Sequence, residues 1–299
     1  MISLRQIHYA LAVEETLHFR KAAEHCSISQ SALSTAIAEM EQQLGFQVFE
    51  RDNKKVIVTP LGRQVLEKAR VIKREISDLQ QLAESQGELL SAPMSIGMIP
   101  TIAPYLLPII LPPLQQAYPK LELDVKEVQS HELVERVRNG DLDAGILALP
   151  YDVDGLLTFK FWKENFFWVT HKDDATVKTK RIRADQIDAR RLMLLGEGHC
   201  LKDHALAVCQ LAETGLHDVS ATSLPTLVQL VAGKMGSTLV PEMAIATLVN
   251  TNSALRKLPL AEAGPHREIA FLVRPTYPGV RNIEKLCTLF ADCLKRQAI

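Results

Sequence analysis

The sequence predicts an α/β protein with an all-α winged helix-turn-helix at its N-terminus, and three observations lead there. Residues 4–45 carry three short helix patterns, the last two joined by a tight turn, and a charged hairpin pattern follows. A single narrow apolar stripe then runs from Pro60 to about Gln86. From Met94 onward, strand patterns alternate with amphipathic helix patterns, which is the signature of βαβ units.

Composition bounds the function classes. A chain of 299 residues is long enough for two or three compact units. With 47% hydrophobic and 23% charged residues the balance is that of a soluble globular protein. No apolar run approaches the roughly 18–20 residues needed to cross a bilayer, so no membrane partner is expected. The opening MISLRQIHYALAVEE lacks a basic segment leading to a small-residue cleavage site, which excludes a secretory signal and points to the cytoplasm. Five cysteines is an odd number for a disulfide framework, and a reducing cytosol opposes permanent bridges, so any cysteine chemistry is expected to be transient. Net charge is −1, and residues 1–60 hold six Lys/Arg against seven Asp/Glu, so bulk charge supplies no nucleic-acid footprint.

Taken in order, Ile7, Leu11 and Val13 mark the first helix, Thr16 to His18 break it, and FRKAAEHC forms the second. Ser29 is a candidate N-cap for a third helix whose apolar face is Leu33, Ile37, Met40 and Leu44 and whose stop is Gly45. VFERDNKKVIVT reads as a wing with its tip at Asp52 to Lys55. The long helix repeats Val65, Ala69, Ile72, Ile76, Leu79 and Ala83 at alternating four- and three-residue steps, a seam suited to dimerisation, and 87–93 is a linker. Next come an MSIGMI strand, a proline-broken helix from Ile102 to Tyr118, an LELDVKEV strand, the HELVERVRNG helix and an AGILAL strand, which together predict a mostly parallel sheet covered on both faces. A second set opens near Glu164 with FFWVTH and RLMLL strands, a helix holding two cysteines, a VSAT strand, the LPTLVQLVAG helix and an STLV strand. IAFLVRP and a closing helix at 280–296 finish the chain.

A helix entering the major groove needs side chains that reach base edges and others that fix phosphates. Gln30, Ser31, Ser34 and Thr35 lie on the polar side of the third helix, opposite Leu33 and Ile37, and the wing offers Arg51, Lys54 and Lys55 to the backbone or minor groove. None of the four helix residues is cationic, so one unit should bind weakly and several units on one site should compensate, which fits a dimer or tetramer.

The stretch GHCLKDHALAVC at 198–209 sets Cys200 and Cys209 nine positions apart on one helix pattern. In a continuous helix that spacing is about 13.5 Å of rise and about 900° of rotation, which places the two on opposite faces. A disulfide needs Cα atoms within roughly 7 Å, so joining them requires the segment to unwind. Gly198 should end the preceding strand and put Cys200 in a helical first turn, where the dipole favours thiolate, with His199, Lys202 and Arg267 adding positive potential. Thiolate attack on hydrogen peroxide gives a sulfenic acid that a second thiol captures. A metal cluster of His199, Cys200, His204 and Cys209 is disfavoured, because no C-x-x-C or H-x-x-x-H pair accompanies them and opposite-face cysteines cannot share one ion; neither metal nor cofactor is expected. Cys26, Cys287 and Cys293 read as small buried hydrophobes.

Winged head, dimerising helix and α/β module together resemble the LysR-type transcriptional regulators over the whole chain. MSIGMIPTIAPYLLP at 94–108 and GHCLKDHALAVC at 198–209 are similar to motifs of the peroxide-sensing members of that family. The resemblance implies a winged DNA-binding domain at 1–59, a linker and dimerisation helix at 60–90, and a redox-sensing regulatory region at 91–299. That region would hold two Rossmann-like, periplasmic-binding-protein-like subdomains, one from about 91–163 and 267–299 and one from about 164–266. It implies Cys200 as the peroxidatic and Cys209 as the resolving residue, with Thr101, Ser130, His199 and Arg267 binding or activating peroxide. It implies an activator of oxidative-stress genes that is not an enzyme, with promoter DNA, hydrogen peroxide, RNA polymerase and a homodimer or homotetramer as partners. Around 217–219 the chain is one residue shorter than such relatives. An alternative leaves the cysteines structural and places a small-molecule coinducer between the regulatory subdomains, touching Thr101, Ser130 and Thr222.

Overall fold

The computed structural model describes residues 1–52, 55–84, 88–174, 180–209 and 220–297. The chain divides into two compact units, residues 1–83 with 139–141, and residues 84–138 with 142–299.

The first unit holds helices α1 (Leu4–Thr16), α2 (Phe19–His25) and α3 (Gln30–Leu44), the hairpin β1 (Phe49–Asp52) and β2 (Lys55–Val58), and the long helix α4 (Pro60–Glu84). Capping explains the boundaries. The Ser3 hydroxyl accepts from the Gln6 amide while the Gln6 side chain accepts from the Ser3 amide, closing a capping box at the start of α1. Ser29 caps α3 by accepting from the Ala32 amide, and α3 stops at Gly45, whose φ of +79° suits glycine. Val13, Phe19, Leu33, Ile37, Met40 and Phe49 fill the core, with Phe19 edge-on to Phe49. Asn53 and Lys54 at the expected wing tip lie outside the described residues. Along α4 the expected seam divides in two: Val65 packs against the head core and Ala69 is buried, whereas Ile72 and Leu79 are exposed, Leu79 by 66%. Only the later part of the stripe is left for a partner, because its first turns complete the head.

The second unit opens with β3 (Met94–Met98), α5 (Ala103–Ala117), β4 (Leu123–Glu127), α6 (Ser130–Asn139), β5 (Ala144–Leu149) and β6 (Leu157–Glu164). It continues with β7 (Phe166–His171), β8 (Leu194–Leu195), α7 (Cys200–Cys209), β9 (Ser220–Ala221) and α8 (Leu224–Ala232). β10 (Thr238–Pro241), α9 (Glu242–Leu248), β11 (Leu255–Pro259), β12 (Arg267–Val273) and α10 (Val280–Gln297) complete it. The larger sheet runs β4-β3-β5-β12-β6 and a smaller one β10-β7-β11, with β8 and β9 paired separately. The larger and the smaller sheet each have their own apolar core, the first centred on Ile96, Ile146, Phe271 and Phe290, the second on Phe166, Leu194, Leu227 and Val240.

Three expectations change here. The sheets are mixed rather than mostly parallel: β3, β4 and β5 are parallel, but β12 runs antiparallel to both β5 and β6, and β10 and β11 are antiparallel to β7. A strand that returns from the second set enters beside β5 from the opposite direction, which periodicity along one strand does not reveal. The RLMLL strand shrinks to Leu194–Leu195, with Leu192 making only a single bridge to Ser237. The helix expected to break at its prolines does not break: α5 runs continuously past Pro108, Pro112 and Pro113. Pro108 and Pro112 face solvent, where water satisfies the freed carbonyls, while Leu106, Ile110 and Leu114 anchor the buried face. Burying side chains of that size contributes about 1.5–3 kcal/mol each, enough to offset a proline's cost of about 3 kcal/mol.

Candidate functional site

The parallel strands β3, β4 and β5 end at one edge of the larger sheet, and the chain leaves that edge through Thr101, through Gln129 and Ser130, and through Pro150. Crevices outside the carboxyl ends of parallel strands are where open α/β sheets bind ligands. The first residue of α7, Cys200, is brought to this edge. Gly198 makes that possible: its φ is +87°, and a Cβ there would stand 2.3 Å from the Gln129 side-chain oxygen. The Ser130 amide, at the head of α6, points to the Gly198 carbonyl at 3.4 Å.

Cys200 is 2% exposed and belongs to the core of the larger sheet, whereas Cys209, at the other end of the same helix, belongs to the core of the smaller one. Both thiols are free. Tyr105 makes the reciprocal crossing: it sits on α5, yet packs into the core of the smaller sheet, its hydroxyl buried without a partner and pushed up to about 12 by burial, then by Glu127. Because α7 is unbroken from Cys200 to Cys209, the two sulfurs are separated by about 13.5 Å of helical rise and cannot bond in this form.

The charge environment of Cys200 differs from expectation. Burial raises its thiol above the ordinary value, and this outweighs the Ser130 hydroxyl, the Arg267 guanidinium and the Ala148 backbone, all of which favour thiolate. The resting thiol is therefore protonated. His199 supplies no charge either: burial lowers its pKa despite contact with the Thr222 backbone, so the imidazole is neutral. Both corrections share one cause, which is that desolvation in a packed core disfavours whichever form is charged, thiolate at Cys200 and imidazolium at His199. Burial also lifts Cys209 to about 11, with the Glu262 carboxylate adding to the shift.

Arg267 and Thr101 are joined directly. The guanidinium Nη1 donates to Thr101 Oγ1 and Nη2 to the Thr101 carbonyl, each at 3.2 Å. Its charge, however, is met by Glu164, with Nε at 2.7 Å and Nη2 at 2.6 Å from one carboxylate oxygen in a fully buried pair. Ser130 is 1% exposed, and its hydroxyl makes no hydrogen bond of regular geometry, though it lies near enough to Cys200 to favour the thiolate. Thr101, Ser130, Cys200 and Arg267 thus converge, with His199 buried at their margin. Glu164 was read in the sequence only as a boundary, and nothing in its local pattern marks it as the partner of a residue 103 positions away. Tyr151, beside Cys200 with its hydroxyl raised by burial and then by that thiol, was likewise passed over, and His204, bonded to Pro150, was weighed only as a metal ligand. The His in CLKDHAL was the available signal for the latter.

In the first unit, Gln30, Ser31 and Thr35 are exposed on α3 and Ser34 is half-buried, so the four share an outward face. Lys55 is exposed on β2; Arg51 lies on β1, and Lys54 falls outside the described residues. Cys26 and Cys287 are only half-buried, less than expected, and Cys293 is buried. Among the described residues no helix is long and apolar enough to cross a membrane, and no three His, Cys, Asp or Glu side chains are grouped to hold a metal ion. The shortened stretch at 217–219 lies outside the described residues.

Comparison with known proteins finds, among others, two relatives and two solved structures, and two family matches. The chain is 40% identical over 297 residues to the HTH-type transcriptional regulator EstR of Acinetobacter baylyi, covering 98% of this chain and 96% of that one. It is 36% identical over 287 residues to a hydrogen peroxide-inducible genes activator of Dickeya chrysanthemi, covering 95% and 93%. Among solved structures it is similar to a full-length OxyR variant from Pseudomonas aeruginosa, with TM-score 0.78, 30% identity and coverage of 99% and 95%. It is also similar to a hydrogen-peroxide-bound OxyR mutant from Corynebacterium glutamicum, with TM-score 0.68, 30% identity and coverage of 99% and 94%. Residues 4–63 match the bacterial regulatory helix-turn-helix of the lysR family, and residues 87–295 match the LysR substrate binding domain. With head and regulatory region matched in sequence and in fold, the chain belongs to the LysR family of transcriptional regulators, and within it is similar to OxyR.

Proposed function

We propose that this regulator senses hydrogen peroxide through Cys200 and Cys209 and answers by activating oxidative-stress genes. One observation carries the reading: a thiol enclosed by Thr101, Ser130 and Arg267 heads an unbroken helix whose far end holds a second thiol in a different core. Peroxide entering this enclosure meets the uncommitted Ser130 hydroxyl and the Thr101 hydroxyl already oriented by Arg267. As the Cys200 proton is passed to the departing oxygen, sulfur attacks the near oxygen, the O–O bond breaks, and the products are Cys200 sulfenic acid and water. His199, being neutral, acts in this enclosure as a hydrogen-bonding group and not as a charge. Cys209 then displaces hydroxide from the sulfenic sulfur, its own proton completing a second water, and the disulfide forms. That bond demands that α7 unwind, because the sulfurs begin a helix apart.

The change is then passed to DNA-binding heads in which Gln30, Ser31, Ser34 and Thr35 face promoter DNA and Arg51, Lys54 and Lys55 meet the backbone. The exposed part of the α4 stripe supports a homodimer or a homotetramer built from such dimers, working with RNA polymerase in the cytoplasm. OxyR-named relatives, one of them holding hydrogen peroxide, support this reading. Thiol trapping followed by peptide mapping, before and after a micromolar peroxide pulse, tests it: a Cys200–Cys209 link is expected, and two thiols still free beside an intact transcriptional response would contradict it.

A second reading has its own observation. The 40% identical relative carries no reference to peroxide in its name, and a buried, protonated Cys200 is also what a structural cysteine looks like. In that reading a small coinducer binds between the regulatory subdomains at Thr101, Ser130 and Thr222. A Cys200→Ser variant that keeps its peroxide response, or a metabolite that raises Tm without altering the thiols, decides for it.

A further inference from the structure

His204 lies on α7 between the two cysteines, one turn beyond Cys200, and is 2% exposed. Its Nε2 stands 2.7 Å from the Pro150 carbonyl oxygen, at the end of β5. A carbonyl only accepts, so Nε2 carries the proton and the neutral ring is left with a lone pair on Nδ1. That Nδ1 is buried with no hydrogen-bond partner. The side chain thus fastens α7 to the larger sheet with one nitrogen while the other would be better satisfied in water. An unpaired buried acceptor costs stability that is recovered as soon as the ring is released to solvent.

We infer that His204 is a positioning residue, a latch whose Nε2–Pro150 bond keeps α7 docked and helical until Cys200 is oxidised, and whose release sets how fast Cys209 reaches it. This rests on the redox reading above. The step it governs adds no chemistry: the sulfenic sulfur of Cys200 still accepts the Cys209 sulfur and loses water, but only after the segment between them leaves its seat.

The latch has a pH sense. Burial lowers the His204 pKa from its usual value; the Pro150 carbonyl and Asp203 act to raise it and Arg267 to lower it. Tyr151, next to Pro150, and the Cys200 thiol complete the titratable surroundings. A histidine whose docked pKa is depressed takes up a proton more readily once released, so docking is fully supported above about pH 6.5 and weakens as pH falls below it.

The test uses the full-length protein. Quenched-flow alkylation and peptide mapping measure disulfide closure after peroxide, and dimedone labelling in a Cys209→Ser background measures sulfenic acid formation at Cys200. His204→Leu removes the bond; His204→Gln keeps a donor at similar reach but has no titrating ring. His204→Leu should close roughly five- to tenfold faster, the effect of losing one hydrogen bond from the docked state. His204→Gln should return closure toward the wild-type rate, and both should form sulfenic acid at the wild-type rate. The wild-type to His204→Gln ratio of closure rates should rise as pH falls through about 6.5, which cancels the common effect of pH on Cys209. Equal closure in all three proteins with a flat ratio would overturn the latch alone. A wild-type protein that forms sulfenic acid or nothing, but never the disulfide, would overturn the latch together with the redox reading.

Discussion

At the scale of single residues, the behaviour of Cys200 is decided by a contest between burial and charge. Helix position, Ser130 and Arg267 all favour its thiolate, yet enclosure in the core of the larger sheet wins. At pH 7.5 Cys200 should therefore react with iodoacetamide more slowly than free cysteine, whose pKa is about 8.5, and the rate should climb as pH is raised above that value. Alkylation already complete at pH 6 would contradict the burial argument. Ser130→Ala removes a hydroxyl that has no better partner, so its main effect should be on chemistry: peroxide oxidation of Cys200 should slow by roughly tenfold or more, as for a hydrogen bond to a charged group, with Tm little changed. Arg267→Leu should behave differently. It strands the Glu164 carboxylate in a fully buried site, and the loss should be about 3–5 kcal/mol of stability by denaturant melt, largely recovered when Glu164 is made apolar as well. Some of this was legible in the sequence: Thr101, Ser130, Cys200 and Arg267 were all singled out, and they do converge. The sign of the thiol shift and the partnership with Glu164 were not, because both depend on what surrounds a residue in space and neither leaves a periodic trace.

At the scale of elements, the proposed function makes α7 the part that must move. Its ends are held in separate apolar cores, and the segment cannot bend to join them without losing backbone hydrogen bonds and buried surface at one end. Weakening the helix without touching either core should ease the change. Ala207 is exposed in its last turn, so Ala207→Gly should cost the helix up to about 1 kcal/mol and speed disulfide closure up to about fivefold, while sulfenic acid formation keeps its rate. An unchanged closure rate would mean that unwinding does not limit it. Elements of this kind were the most readable part of the chain, since α1 and α3 combine an amphipathic stripe with a recognisable cap or stop, and α4 carries one narrow apolar stripe along its length. Strands were less so. β6 and β11 lack clean alternation, and β8 has only two residues, so their existence rests on neighbours distant in sequence. The prolines of α5 misled for the same reason, because an exposed face tolerates them and the buried face decides.

At the scale of the whole molecule, the proposed function requires a local bond to become a change in how copies of the protein sit on DNA. The exposed apolar positions of α4 are where copies should meet. Replacing Ile72 and Leu79 by Glu should weaken self-association in sedimentation experiments and, with it, promoter binding, since a near-neutral head with few cations binds poorly alone. Retained assembly would place the interface elsewhere. Composition and motifs disclosed this organisation, but the division of labour along α4, part core and part seam, became visible only with the head in place. All of these consequences depend on oxidation dismantling α7. Hydrogen exchange across 198–209, followed through a stoichiometric peroxide pulse with disulfide mapping of the same samples, measures that directly. Amides of α7 should be protected in the thiol form and lose protection in step with the Cys200–Cys209 link. A mapped link with undiminished protection along the helix would show that the two sulfurs can join without refolding, and the proposed signal would have no source.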